Sequence, residues 1–194
     1  TDLDIGMNQR LCEPFRWDDS REYDRGKVMT REMLDAGVTF GRYLDVDGDG
    51  IPYRTYPGTH PTKGGYFTRG TTRNPYAAYS EKGDDYTYNV QRPLQKLETA
   101  KGLVPQPVIT RCKQKTRFGV IFYGSTSPAM AEAAVTLEEE GTHVDTMRIR
   151  AFPFSDAVSE FVLEHDLVFV VEQNRDAQLR TMLVNELNLD PARV

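Results

Sequence analysis

Three times after residue 117 a short apolar run gives way to a turn and then to a helical stripe. This rhythm restricts the fold more than any single residue does. Phe118–Tyr123 (FGVIFY) is the first run, and Gly124-Ser125-Thr126-Ser127-Pro128 turns the chain, with Ser127 able to cap a helix and Pro128 suited to its first turn. Ala131, Ala134, Val135 and Leu137 recur at helical spacing up to Glu140, and Gly141 is a good stop. Thr142–Ile149 reads as the next strand. Pro153-Phe154-Ser155 then opens a second helix, with Ser155 as cap and Val158, Phe161 and Val162 turned inward. Leu167–Val171 (LVFVV) is a nearly continuous β-branched and aromatic run, which predicts a strand covered on both faces. A last helix carries Leu179, Met182, Leu183 and Leu187 on one stripe. Such alternation predicts an α/β fold, a Rossmann-like parallel sheet with right-handed crossovers, helices on both faces, and functional loops at the carboxyl ends of its strands.

The first half follows a different grammar. From Arg42 to Ser80 the chain is crowded with Gly, Pro, Tyr and Arg, and neither helical nor alternating periodicity persists. Disordered segments are poor in aromatics, so Tyr43, Tyr53, Tyr56, Tyr66, Phe67, Tyr76 and Tyr79 predict an ordered, irregular extension whose rings pack on something. Pro93 suits the start of a helix bearing Leu94, Leu97 and Ala100, and Gly102–Pro107 (GLVPQP) reads as a linker. The boundary is therefore expected between residues 112 and 113.

Charge and cysteine usage narrow the function classes. A net charge of -5 and a pI near 5.3 argue against general nucleic-acid binding, which needs surplus Lys and Arg to displace counterions. No apolar run approaches the roughly 18–20 residues of a membrane span. Cys12 and Cys112 are the only cysteines, which suits a reducing compartment and is too few for a self-contained iron–sulfur cluster. These features predict a soluble, cytoplasmic protein.

Four stretches carry candidate chemistry. Asp45–Gly50 (DVDGDG) has the look of a calcium loop, but the twelfth position holds Tyr56 instead of a bidentate Glu, so an Asp/Gly turn is favoured over a metal site. Arg54–Gly70 (RTYPGTHPTKGGYFTRG) combines Arg54, His60, Lys63 and Arg69 with glycines, a set that could clamp a carboxylate or phosphate or bury an interchain surface; the interface is favoured. The GSTSP turn could receive a phosphate at a helix N-terminus, but it lacks a dinucleotide or P-loop pattern, and capping is favoured. Val171–Asn174 (VEQN) places Glu172 and Asn174 where a parallel strand ends, the usual place for a site, although Glu172 could equally cap the next helix or pair with Arg175 or Arg180.

Taken in order, several stretches resemble the α subunit of 2-oxoacid:ferredoxin oxidoreductases, most closely the 2-oxoglutarate enzymes. They are DLDIGMN, FRWDDSREYDRGKV, DGDGIPYRTYPGTHPTKGGYFTRG, Tyr79-Ser80-Glu81, the helix with Arg92, Lys96 and Leu97, YGST at Tyr123–Thr126, and VEQNRDAQL. The resemblance implies a thiamine diphosphate enzyme that converts a 2-oxo acid and coenzyme A to an acyl-CoA and carbon dioxide, with electrons passing through an iron–sulfur cluster to ferredoxin. It also implies that residues 1–112 hold the end of a pyrimidine-binding domain, with Thr1–Asn8 as its final strand, followed by the extension and a linker helix. Residues 113–194 would form a transketolase C-terminal-like domain. The chain is then expected to be a middle-to-late piece of a subunit, inactive alone. Thiamine diphosphate, magnesium and the cluster would belong to the parent complex, which pairs this subunit with a β subunit and forms an oligomer. No residue is assigned as a catalytic acid or base. The residues expected to touch substrate or a partner are Arg54, His60 and Arg69, then Glu172 and Asn174. The alternative is a stand-alone Rossmann-like domain that binds an anion or docks a partner without catalysis.

Overall fold

The computed structural model describes residues 16–194, which form two compact units, 16–100 and 101–194. The strand expected at Thr1–Asn8 and the position of Cys12 lie outside the described residues.

In the first unit, Thr30 opens a one-turn helix, α1 (Arg31–Asp35), by accepting the Met33 amide through its side chain. Residues 42–80 are irregular, as expected, with isolated bridges pairing Val28 with Arg54 and Arg73 with Tyr79. The buried hydrophobic residues of this unit are Met29, Leu34 and Ala77, and polar contacts carry most of the order. Asp45 turns the DVDGDG segment by accepting the Gly48 and Gly50 amides at 3.0 and 2.9 Å. The long helix α2 (Gly83–Ala100) then bolts to that loop. The Tyr88 hydroxyl accepts from the Asp45 amide and donates to the Tyr43 carbonyl, Arg92 donates to the Gly50 carbonyl at 2.9 Å, and Thr99 donates to the Asp49 carbonyl at 2.7 Å.

Two expectations are corrected here. The helix starts at Gly83, and Pro93 lies in its interior instead of at its start. Its loop-facing side is polar and none of its residues is buried, and the apolar Tyr86, Val90, Leu94 and Leu97 are exposed, so polar contacts and not a core stripe set where it starts. The rings of the extension are also less covered than expected: Tyr56, Tyr66, Tyr76 and Tyr79 are exposed, and Phe67 is 79% exposed.

The second unit is a four-stranded sheet of order β1-β3-β2-β4, built from β1 (Val108–Thr110), β2 (Phe118–Tyr123), β3 (Asp145–Ile149) and β4 (Leu167–Val171). The pairs β2–β3 and β2–β4 are parallel, as the alternation predicts, with Val120 opposite Thr146 and Phe169. The sheet is nevertheless mixed. β1 lies in the segment read as part of the first half, and it adds an antiparallel edge with Val108 opposite Arg148. The helices α3 (Thr126–Glu139), α4 (Asp156–Glu164) and α5 (Gln178–Leu187) cover both faces. On one face Ile121, Met147 and Val168 pack with Val158, Phe161 and Val162 of α4 and Leu179 and Leu183 of α5. On the other, Val120 and Phe122 pack on Met130 of α3.

Strand β4 is an edge, not the doubly covered strand its composition suggested, and Phe169 is 51% exposed. The double-sided burial belongs to central β2, from Gly119 to Phe122. Ser127 is not the cap of α3: the cap position is Ser125, and the Ser127 hydroxyl is buried without a partner. Ser155 does occupy the cap position of α4, without a side-chain capping bond.

Candidate functional site

The loop holding Arg54, His60 and Arg69 is pinned from inside. The Arg54 amide donates to the Lys27 carbonyl and the Arg54 carbonyl accepts the Met29 amide, both at 2.9 Å, so the backbone is clipped while the guanidinium stays exposed. His60 is buried in its side chain and fully used. Its Nδ1 accepts the Thr62 and Lys63 amides at 3.1 and 2.9 Å, which puts the ring proton on Nε2, 3.0 Å from Asp35 Oδ1. The Lys63 ammonium donates to the Leu34 carbonyl at 2.7 Å, and Thr55 donates to the Gly64 carbonyl at 2.7 Å. The loop therefore presents Tyr66, Phe67 and Arg69 on a braced base, with Arg42 over the Tyr66 ring at 5.9 Å. Neither the Arg54 nor the Arg69 guanidinium has an acidic partner among the described residues. Such cations can hold a carboxylate or phosphate from outside. His60 has no ring nitrogen spare for proton transfer; its geometry is that of a brace.

Glu172 and Asn174, in the other unit, are drawn together at the end of β4. Glu172 accepts the Leu179 amide at 2.9 Å and the Arg180 amide at 3.2 Å, and Asn174 accepts the Gln178 amide at 3.1 Å. Asn174 also donates to the Glu172 carboxylate. The N-terminus of α5, an anion site by its unpaired amides and dipole, is thus filled by the chain's own carboxylate. Of the structural readings open for Glu172, a cap or a pair with Arg175 or Arg180, the cap is realised.

The DVDGDG segment is likewise satisfied internally. The carboxylates of Asp45, Asp47 and Asp49 approach within 4.8 Å of one another, and the Lys27 ammonium sits among them, 2.6 Å from Asp47 and 2.7 Å from Asp49. Burial alone would push the Lys27 ammonium down; the two carboxylates outweigh it and raise it above its ordinary value.

One polar cluster has no signal in the sequence, because its members are far apart in the chain. Asp145, at the start of β3, is buried and accepts from Arg111 at 2.8 Å and from the Cys112 amide at 2.9 Å, with His165 Nε2 at 3.3 Å. His165 Nδ1 lies 2.7 Å from the Phe161 carbonyl, and Arg111 also pairs with Glu164. Burial opposes the Asp145 charge, but Arg111, the Cys112 backbone and thiol, and His165 outweigh it and hold the carboxyl below the usual range. Burial, then the hydrogen bond and charge of Asp145, push the Cys112 thiol up. This is a clasp joining β1, β3 and the end of α4.

The donor sets bear on the cofactors that the resemblance implies. A metal-bound diphosphate needs free carboxylates and open amides, yet the acidic triad already holds Lys27 and the α5 N-terminus already holds Glu172. Two cysteines cannot supply the four thiolates of an iron–sulfur cluster. Neither of these two sets is open to a metal-bound diphosphate, and the chain's cysteines alone do not make a cluster.

No protein-family model matches the chain, and no curated protein matches it. Among solved structures, the chain is similar in fold to the 2-oxoglutarate:ferredoxin oxidoreductase from Magnetococcus marinus, solved with 2-oxoglutarate, coenzyme A and succinyl-CoA bound. The TM-score is 0.68 at 23% identity, covering 78% of this chain and 26% of that one. The alpha chain of a probable 2-oxoacid ferredoxin oxidoreductase from Thermoplasma acidophilum aligns at 24% identity over 44% of this chain and 74% of that one, with a TM-score of 0.28. This chain therefore spans about a quarter of the length of the Magnetococcus enzyme chain and shares its α/β fold over most of its own length. Among the described residues, no helix is long and apolar enough to cross a membrane.

Proposed function

We propose that this chain is part of the α subunit of a 2-oxoacid:ferredoxin oxidoreductase acting on 2-oxoglutarate, coenzyme A and oxidised ferredoxin, and that it serves as scaffold and contact surface. The observation that carries this reading is the fold similarity over 78% of the chain, and the ordered run of family-like motifs in the sequence supports it. The reacting centre, with thiamine diphosphate, magnesium and the cluster, is assembled from parts outside these residues. When bound, thiamine diphosphate supplies the carbanion chemistry at the 2-oxo carbon. What this chain contributes is position: a rigid α/β unit, and a braced loop that offers Arg54 and Arg69 to an anionic group of the substrate or to the β subunit.

The alternative of a stand-alone anion-binding domain is weakened at VEQN, where Glu172 occupies the helix terminus an anion would need. The test is co-expression of the subunit containing this chain with its neighbouring β subunit, followed by coenzyme A-dependent viologen reduction. Turnover with 2-oxoglutarate that exceeds turnover with pyruvate is the expected result. Failure of the two subunits to associate, or turnover by the 194-residue chain alone, overturns the reading.

A further inference from the structure

Residues 50–80 carry Arg54, Lys63, Arg69 and Arg73 and not one Asp or Glu, in a chain whose net charge is -5. The same stretch holds six tyrosine and phenylalanine rings. Interface cores depart from ordinary protein surface in this direction, enriched in Tyr, Phe and Arg and depleted in Asp and Glu.

Little of this chemistry is spent inside the chain. Phe67 is 79% exposed, and Tyr56 and Tyr66 are 45% and 51% exposed. The Arg54 and Arg69 guanidiniums have no partner among the described residues. Arg42 lies over the Tyr43 and Tyr66 rings at 5.7 and 5.9 Å, and Phe40 stands 6.1 Å from Tyr66, so Tyr66 is propped while its neighbour Phe67 stays in water. The backbone beneath is fixed. His60 braces it through the Thr62 and Lys63 amides, and Thr55 ties it to the Gly64 carbonyl. Gly64, at φ +77°, fits so closely that a Cβ there would stand 2.9 Å from Thr55 Cγ2 and 3.1 Å from Cδ1 of the buried Leu34. A loop ordered before contact loses little conformational freedom on binding.

We infer that Arg54–Gly70 is a docking surface for another protein, with Phe67 as its apolar anchor and Arg54 and Arg69 as its charged flank. The face it meets offers an apolar recess with an acidic rim. A small dicarboxylate would satisfy the guanidiniums and leave the rings in water, whereas a protein face covers both. The identity of the partner, the β subunit, rests on the proposed function. The inference deepens that reading by assigning the loop to the subunit contact and not to the substrate.

The test titrates the purified subunit containing this chain with its β subunit and follows association by sedimentation velocity. Phe67→Ala should lower the affinity at least about tenfold. Arg54→Glu with Arg69→Glu should lower it too and reduce its dependence on salt. With the complex fully formed, KM for 2-oxoglutarate should stay within about twofold of the unchanged enzyme in both variants. Hydrogen exchange at amides 65–70 should slow in the complex. Subunits that never associate overturn the proposed function and the docking assignment with it. Association that is indifferent to Phe67→Ala, or exchange at 65–70 that is the same free and bound, overturns the docking assignment alone. So does a raised KM at unchanged affinity, the mark of a substrate clamp. If Phe67→Ala unfolds, the charge reversal and the exchange measurement still decide.

Discussion

The Glu172 carboxylate accepts the Leu179 amide at 2.9 Å, so the residue just after β4 caps the helix that follows. Removing this carboxylate strands the first amides of α5, whose formal cap, Ala177, offers no side-chain bond. Glu172→Ala should destabilise the second unit by about 1–2 kcal/mol in urea unfolding, and Glu172→Gln by less. A neutral effect of Glu172→Ala would contradict the capping role.

Gly50 shows how closely the DVDGDG turn meets α2. Its φ is +77°, and a Cβ there would stand 2.3 Å from the Lys96 amide nitrogen. Gly50→Ala should cost about 3 kcal/mol and loosen the first unit, since both backbone strain and overlap oppose it. Gly48 has φ +82° but open space around it, so Gly48→Ala should cost only about 1 kcal/mol. Thermal unfolding of the pair checks the difference, and equal effects would show that the close approach is unimportant.

Asp145 makes the second unit sensitive to acid. Its carboxyl is held below the unfolded value of about 3.9, so its contribution is complete above that pH and is lost as pH falls through the lower folded value. Asp145→Asn should destabilise by about 1–3 kcal/mol at neutral pH, because the amide keeps only one of the two acceptor oxygens shared by Arg111, the Cys112 amide and His165 and loses the charge that pairs with Arg111. It should also flatten the stability–pH curve below about pH 4 relative to the unchanged chain. A mutant curve parallel to the original would remove Asp145 from the account.

The raised Cys112 thiol should react slowly. In a Cys12→Ser background at neutral pH, alkylation by iodoacetamide is expected to be several-fold slower than for an unperturbed cysteine, because the thiolate is the attacking form. Asp145→Asn should speed it up by removing the adjacent charge. An unchanged rate in that variant would mean that burial alone protects the sulfur.

Arg54 and Arg69 are exposed and lack acidic partners among the described residues, so Arg54→Ala or Arg69→Ala should change stability by less than about 0.5 kcal/mol. Under the proposed reading, the same changes in the complex of this subunit with its β subunit should raise KM for the oxo acid or weaken subunit association. Unchanged kinetics and unchanged assembly size would discard both residues as contacts.

How far the fold could be read ahead depended on which force built each element. Where apolar burial did so, the reading was close: β2 and β4 begin and end as expected, and Val158, Phe161 and Val162 turn inward. Where polar contacts did so, the reading fell short. The first ten residues of α2 bury no side chain and are held by polar contacts, and the Asp145 cluster joins residues up to 54 positions apart, from Arg111 to His165. Candidate residues were legible as types; their occupation was not. His60 and Glu172 carry donor and acceptor atoms suited to a ligand, but those atoms are spent on neighbouring backbone amides.

The sequence by itself determined the strand–helix alternation, the irregular aromatic segment and the order of the motifs, because these follow from periodicity and residue chemistry along the chain. Only the tertiary structure decided that β4 is an edge, that β1 joins antiparallel, and that α2 shows its apolar stripe outward. The reason is physical. A strand's cover and a helix's facing depend on which segments find one another in space, and a polar group's availability depends on whether a distant partner has already satisfied it.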